Sequence, residues 1–484
     1  MVDALAIDVG TSSVRTALVD ERGTVRAVRQ APLTIRTPQG GEVELDGDEI
    51  ARLVVDLSRD TLATTPNPVA AVGVSNQRAS TLIFDPTTGR PIGPVLGWQD
   101  LRTVLDCLVL QGSGLRLAPN QPATKAAWLL TASGRRAEDV RMATIETWVE
   151  YVLSGGVAHV TDHSNAAITG LVTSDARAWD PDVLDVVGLH PAMLAQIVDS
   201  AGDHGVARVL PGSPTIRALI GDQPASMLGQ SIVEHGTKIT FGTGAMINTV
   251  TGSSPPPAMT RFDSGCFPIV ARSMGGEIVW GAEGIVLSAG GALDWLRDEW
   301  SLVAATPDIE ALAASVPSSD GVWFVPALNG LGTPWWDFGA RAAFFGLTRG
   351  STRAHLARAA LEGIAHRGAD LVAAVVAHSP DPITELRVDG GMSDNDLFLQ
   401  MLADVTGLPI AVSPEREATT RGAGLLALVG AGEIDLEHVA TMWRPRRVVA
   451  PRLDDDARAR SRATWSEMIE RARRTIPELS AVSF

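Results

Sequence analysis

One short pattern occurs twice in this chain, about half a chain apart, and it restricts the fold more than any other feature. Ala4-Leu5-Ala6-Ile7-Asp8 is an apolar run that passes into Val9-Gly10-Thr11-Ser12-Ser13, after which alternation resumes through Val14, Thr16, Leu18 and Val19. Lys238-Ile239-Thr240-Phe241 leads in the same way into Gly242-Thr243-Gly244, with Met246 to Val250 behind it. Strand, small-residue turn and strand read each time as a β-hairpin. The repeat predicts two lobes of related design. Val72-Gly73-Val74-Ser75, then Asn76-Gln77-Arg78, then Thr81 to Phe84 read as a further unit of the same kind.

Helical spacing separates these runs. Ile50, Leu53, Val54 and Leu57 follow the acidic stretch Asp46 to Glu49, and Asn395, Leu399, Leu402 and Val405 follow Leu386-Arg387-Val388-Asp389-Gly390-Gly391. Strands alternating with helices give an α/β class. The tail from Asp454 reads as a charged docking helix with Trp465, Met468, Ile469, Ala472 and Ile476 on one stripe. The Pro-rich patch Ser253 to Pro257 follows too closely on the second hairpin to be a boundary. Ser231 to Gly236 is the better one, dividing the chain into 1–235 and 236–484.

Composition removes whole classes of function. With 484 residues and 45% hydrophobic content the chain has ample core for two lobes. Forty basic against 56 acidic residues leave a net charge of −16 and no basic tract, which excludes a nucleic-acid or anionic-membrane binder. Two cysteines, Cys107 and Cys266, make neither a disulfide framework nor a CxxC metal pair. An acidic start and apolar stretches well short of the roughly 18 residues of a spanning helix predict a cytoplasmic protein with no membrane segment. The basic residues are almost all arginine; the only lysines are Lys125 and Lys238.

The turns carry the first chemistry. Small residues let backbone N–H groups approach phosphate oxygens, and the hydroxyls of Thr11, Ser12, Ser13 and Thr243 add donors. Asp8, at a buried strand end beside such a turn, is where a phosphate-bound Mg²⁺ wants a carboxylate, and Arg15 balances phosphate charge. Neither a P-loop nor a strand-coupled Gly-x-Gly-x-x-Gly is present. Asp222 lies between the apolar run ending at Ile220 and the small-residue segment Pro224-Ala225-Ser226. Two readings stay open for it: a general base for a hydroxyl, or a helix N-cap.

In order along the chain, these motifs resemble the FGGY family of carbohydrate kinases, most closely its glycerol-phosphorylating branch. Asp8 to Arg15 is similar to the first phosphate motif and Phe241-Gly242-Thr243-Gly244 to the second. Gly73 to Arg78, Gly97 to Thr103, Ala123-Thr124-Lys125 and Val160 to Ala166 resemble substrate-lobe segments; Gly221 to Ser226 resembles the segment with the catalytic aspartate. Glu283-Gly284, Asp294 to Asp298, Gly330 to Asp337, Phe345 to Gly350 and Asp389 to Asn395 follow in the second lobe. The resemblance runs from residue 5 to about residue 432.

The resemblance implies an actin/hexokinase-like (ribonuclease H-like) fold: two lobes, each with a mixed five-stranded sheet flanked by helices, and a cleft between them. It implies an ATP- and Mg²⁺-dependent phosphotransferase acting on a hydroxyl of a small polyol or sugar, with homo-oligomers permitted. Thr11, Ser12, Arg15 and Thr243 are then phosphate contacts, and Gly290, Gly391 and Asn395 border the adenosine. Arg78, Trp98, Asp222 and Gln223 belong to the acceptor pocket, with Asp222 catalytic. Four positions depart from the glycerol branch. Ala79 replaces a Glu, Asn120 a Tyr, Met246 a Phe, and near the nucleotide Asp294 replaces a Gln. Three changes in one pocket predict a substrate other than glycerol. The rival readings are a xylulokinase-like ketose kinase, whose usual Gln-Met-His-Gly is absent at Gln77 to Ser80, an authentic glycerol kinase, and a nucleotide-binding pseudokinase.

Overall fold

The computed structural model describes residues 2–257 and 261–482. Thirteen of its strands form one continuous sheet path. In the first half these are β1 (Asp3–Val9), β2 (Ser13–Asp20), β3 (Val25–Pro32), β4 (Ala71–Asn76), β5 (Ala201–Val206) and β6 (Thr215–Gly221). In the second half they are β7 (Thr237–Phe241), β8 (Ala245–Gly252), β9 (Phe267–Met274), β10 (Glu277–Val286), β11 (Leu386–Asp389), β12 (Ile410–Val412) and β13 (Arg447–Val449). The spatial order is β13-β12-β11-β7-β8-β10-β9-β5-β6-β4-β1-β2-β3.

Two copies of one arrangement are visible in that order. β3-β2-β1-β4-β6 has an antiparallel meander at one side and two parallel additions, β4 on β1 and β6 on β4. β10-β8-β7-β11-β12 repeats it strand for strand. The expected five-stranded sheets are therefore present. β5 extends the first sheet beyond β6 and β9 extends the second beyond β10, and these two added strands meet through a single pairing of Ala201 with Met274.

The two expected hairpins form, β1 with β2 and β7 with β8. The third unit does not. Strand β4 is flanked on both edges by parallel neighbours, so Thr81–Asp85 has no edge to pair with and joins a separate small sheet. Ala79, at φ +65°, turns the chain out between the two runs.

Period-2 alternation decides what covers each face of the first half. Leu5, Ile7 and Val9 pack into a large-residue core with α1 (Gly47–Leu62), which Asp46 caps as its acidic stretch predicts, and with α2 (Ile145–Leu153). Ala4 and Ala6 face the other way, onto a layer built from α3 (Asp222–Gly229) and α7 (Ala418–Gly430). Small side chains let this layer lie close: a Cβ on Gly73 would meet the Ala423 carbonyl, one on Gly422 the Ala225 carbonyl, one on Gly229 the Ala418 carbonyl. Helix α7, from the far end of the sequence, thus packs under the first sheet. The remaining helices used below are α4 (Gly290–Asp298), α5 (Arg353–Val376), α6 (Asp396–Thr406) and α8 (Asp455–Ala472). In α8, Trp465, Met468, Ile469 and Ala472 are buried as the stripe requires. Ile476 lies beyond the helix end, so it is not part of that stripe.

Candidate active site

Parallel strands deliver their carboxyl ends to one edge, and ligands of open α/β sheets collect there. Val9 pairs with Asn76 and Asn76 with Gly221, so Asp8, Gln77-Arg78 and Asp222 leave three adjacent strands side by side. Two strand spacings separate the strand of Asp8 from that of Asp222, about 10 Å.

Asp222 opens α3, with Gly221 in the N-cap position, so it is not the N-cap. Its Oδ1 accepts from the Gln223 amide at 2.7 Å and from Arg78 Nε at 3.0 Å. No described residue donates to Oδ2. The side chain is about one-third exposed (31%), against 8% for Arg78. Arg78 reaches this position because Gly221 has no side chain: a Cβ there would strike the Arg78 stem. The other face of the guanidinium crosses to the second half, Nη2 donating to Glu283 at 2.6 and 2.9 Å, while Nη1 is buried without a partner among the described residues.

Glu283 stands in a cross-strand row. Lys238 on β7, Asn248 on β8 and Glu283 on β10 are register partners and share one face. Asn248 Nδ2 donates to Glu283 at 2.6 Å, and Lys238 Nζ donates to Gln223 Oε1 at 2.7 Å and Thr240 Oγ1 at 2.9 Å. This row of the second half meets Arg78 and Gln223 of the first. The residues above had singled out none of the three for a role; a lysine and a carboxylate inside apolar strands were the available signal.

At the first turn, Gly10 N donates to Ser13 O at 2.9 Å, and Gln77 Nε2 to Gly10 O at 3.1 Å. Trp98, expected in the acceptor pocket, donates from Nε1 to Thr11 Oγ1 at 3.1 Å. Ser12 is exposed, and Ser13 Oγ accepts from Gln30. Asp8 accepts from Ser75 at 3.0 Å, Arg15 at 3.3 Å and Thr420 of α7 at 3.4 Å. Burial pushes its carboxyl up to about 6, against the pull of Arg15 and Ser75. Arg15 also pairs with Glu417 at 2.6 Å.

At the second turn, Gly242 and Thr243 are exposed. The carbonyls of Gly242 and Thr243 accept from the amides of Gly290, Ala289 and Gly291, which fastens the start of α4 to the turn. A Cβ on Gly391 would meet nothing within 4 Å, whereas one on Gly390 would collide with the Phe241 backbone. Asn395 caps α6 through the Phe398 amide at 2.8 Å. Asp294 is held by Arg297 at 2.9 Å and Thr306 at 2.7 Å. On the acceptor side, Ala79 is buried, Met246 half-buried on the face of the Lys238 row, and the Asn120 side chain exposed.

A buried amide pair stands behind these loops. Asn76 and Asn165 exchange side-chain hydrogen bonds at 2.9 and 3.1 Å, and Asn76 also donates to Glu146 at 3.2 Å. Burial and neighbouring Asp162 push Glu146 up to about 7. Among the described residues no cluster of three His, Cys, Asp or Glu suits a metal ion, and no helix is long and apolar enough to cross a membrane.

Two sheets of one strand order, with the packed helices α3 and α7 between them and a glycine turn after the first strand of each, define the two-lobed actin/hexokinase-like phosphotransferase architecture. The FGGY carbohydrate-kinase profile matches through its N-terminal domain at residues 4–209 and its C-terminal domain at 237–431. Glycerol kinase of Aromatoleum aromaticum is 38% identical over 97% of this chain and 98% of its own, and glycerol kinase of Thermus brockianus 38% over 98% and 99%. The solved glycerol kinase of Plasmodium falciparum with ADP superposes with a TM-score of 0.90 at 25% identity, covering 100% of this chain and 99% of that one. Xylulose kinase of Lactobacillus acidophilus shares the fold, with a TM-score of 0.84 at 21% identity over 98% and 97%. The chain belongs to the FGGY family of carbohydrate kinases. It is a glycerol kinase-like phosphotransferase with an alcohol group as acceptor.

Proposed function

We propose that this enzyme transfers the γ-phosphoryl group of ATP, with Mg²⁺, to a hydroxyl of a small polyol or ketose other than glycerol. The observation that carries the reading is the state of Asp222. Its Oδ1 is fixed by Arg78 and the Gln223 amide, and Oδ2 is left for an acceptor hydroxyl. That oxygen takes the hydroxyl proton as the acceptor attacks phosphorus, and the Arg78 and Gln223 side chains orient the acceptor. With the lobes divided at residues 235 and 236, the turns at Gly10-Thr11-Ser12 and Gly242-Thr243 bring backbone and hydroxyl donors to the phosphates from opposite sides. Gly290, Gly391 and Asn395 border the nucleoside, the open space over Gly391 admitting it.

Asp8 fits a divalent cation. It is a carboxylate at a strand end whose burial raises its pKa to about 6 despite Arg15, so a cation would favour its ionised form. Asp8 would hold the ion directly or through water, with phosphate oxygens and water completing its shell, the usual habit of Mg²⁺. When bound, the ion neutralises charge developing on the phosphoryl group. Closure of the lobes excludes water from the transfer. Two unpaired buried cysteines and the use of ATP fit the cytoplasm.

Pocket chemistry supports the acceptor reading. Where glycerol-phosphorylating relatives place Glu, Tyr and Phe, this chain has Ala79, Asn120 and Met246. The Glu and Tyr partners lost here are worth roughly 0.5–1.5 kcal/mol each, and up to about 3 kcal/mol for a charged acceptor, so glycerol forfeits about ten- to a thousandfold in kcat/KM. Asn120 offers a donor and an acceptor for an additional hydroxyl or carbonyl, and Met246 is an adaptable wall. A coupled ADP assay against C3 to C7 polyols and ketoses tests this. A C4 or longer compound should exceed glycerol in kcat/KM; glycerol ranking first overturns the acceptor assignment. The triple change Ala79→Glu, Asn120→Tyr, Met246→Phe should then raise glycerol relative to the longer acceptor.

A further inference from the structure

Thirty-eight arginines and two lysines make up the basic residues, and both lysines are fully buried. The chain uses arginine at its surface and also at buried sites such as Arg367 and Arg421, yet it has lysine in two places, and both lie against the acceptor pocket. Lys125 Nζ donates to Gly97 O at 2.6 Å and to Asn120 O at 3.2 Å. The first carbonyl precedes Trp98 and the second belongs to Asn120, so one ammonium ties together the two loops that carry those pocket residues. Lys238 Nζ binds Gln223 Oε1 and Thr240 Oγ1, fastening the side chain next to Asp222 onto the second half.

Burying an ammonium is costly, and a buried charge persists only where hydrogen bonds or counter-charges compensate it. Burial pulls Lys125 down to about 7, partly offset by Asp100, and lowers Lys238 against the carboxylates of Asp389, Glu283 and Asp222. Arginine cannot take either place. Its planar five-donor fork is wider than an ammonium and spreads its hydrogen bonds in one plane, whereas Lys125 converges on two carbonyls of different loops from a single atom.

We propose that Lys125 and Lys238 are positioning residues of the acceptor pocket, Lys125 holding the Trp98–Asn120 wall and Lys238 holding Gln223. The inference rests on the acceptor site proposed above. Neither lysine touches the acceptor; each acts through the residue it holds.

The scarcity of lysine supplies the test. Selective ¹⁵N-lysine labelling of the whole wild-type protein leaves two side-chain nitrogen signals. Adding the panel compound turned over fastest, glycerol included, at saturation and without nucleotide should move both signals. A non-hydrolysable ATP analogue alone should leave the Lys125 signal in place. Two signals indifferent to a saturating acceptor overturn the proposal. In kinetics, Lys125→Met and Lys238→Met should raise the acceptor KM at least about tenfold while the KM for ATP stays within about twofold, and Lys125→Arg should behave like Lys125→Met. An unchanged acceptor KM, or equal rises for acceptor and ATP, overturns it. Where a Met variant does not fold, the wild-type spectrum decides. Asp222→Asn separates this inference from its foundation. If that variant stays active, the acceptor site itself is misplaced; if it is inactive while the lysine signals and KM values do not respond, only the role of the lysines falls.

Discussion

The two halves place a hydroxyl and a carboxylate at matching positions, but exchanged. Two residues before the first glycine turn stands Asp8, paired across to Ser75; two residues before the second stands Thr240, paired across to Asp389. Each carboxylate is also reached by a hydroxyl from the hinge helix of the other half, Asp8 by Thr420 of α7 and Asp389 by Ser226 of α3, both at 3.4 Å. The backbone plan is shared; the electrostatics are not. Asp8 has Arg15, already shared with Glu417, and burial leaves it raised to about 6. Asp389 accepts from Gln230 at 3.0 Å and lies in the field of Lys238. A duplicated framework thus carries two carboxylates in different settings: both oxygens of Asp8 are hydrogen-bonded, whereas Asp389 has Oδ2 held by Gln230 and Ser226 and Oδ1 buried without a partner among the described residues. On the function proposed above, the first is the one that meets the cation and the phosphates.

The largest effect should come from the residue with no counterpart. Asp222 opens α3, and the first residue of the equivalent α7 is Ala418, so only one half has a carboxylate at that position. Asp222→Asn should lower kcat about 10²- to 10⁴-fold with ATP binding nearly unchanged. Retention of more than about a tenth of the rate on the best acceptor rejects Asp222 as the base.

Next comes the exchanged pair. Asp8→Asn should cost about 10²- to 10³-fold in kcat/KM, whereas Asp389→Asn should act mainly on stability. The ionised Asp8 is disfavoured in the folded state, so its contribution to stability is full below its unfolded pKa near 3.8 and is lost as pH rises through about 6. At pH 7.5 and without ligands, Asp8→Asn should therefore stabilise the fold, by up to about 3 kcal/mol, with the gain vanishing near pH 4. Urea unfolding at both pH values reads this out, and equal gains at the two pH values reject the linkage. For the wild type, kcat/KM for ATP should fall as pH drops below about 6.

The glycines give a smaller contrast. Gly391→Val fills open space and should weaken binding of an ATP analogue about tenfold, the equivalent of about 1.4 kcal/mol, with little loss of stability. Gly422→Ala, at the crossing of the hinge helices, should destabilise by about 1–3 kcal/mol through its clash with Ala225. Calorimetric titration and thermal melting on both variants separate the roles. If Gly391→Val loses stability and keeps ATP affinity, the nucleotide does not approach that backbone.

Local sequence carried the parts of the fold that are local. The Gly10 and Gly242 hairpins, the Asp46-capped α1 and the α6 pattern beginning at Asn395 all depend on neighbours within a few residues, and all are in place. The run Thr81–Asp85 was misread for the same reason: its propensity is that of a strand, but its partner was decided by which edges of β4 were already occupied. Asp222 could be singled out from its strand-to-helix setting, though the setting did not separate base from cap. Once Gly221 takes the cap, the side chain turns to Arg78 instead.

By itself the sequence determined the repeat, the α/β alternation and, through ordered motifs, the family, because hydrophobic period and turn chemistry are properties of short windows. Only the tertiary structure decided what each polar group faces. Arg78 and Glu283 stand 205 residues apart in the chain and 2.6 Å apart in space, and Thr420 reaches Asp8 across 412 residues. A buried charge draws its meaning from partners that folding brings to it, and no window of sequence contains them.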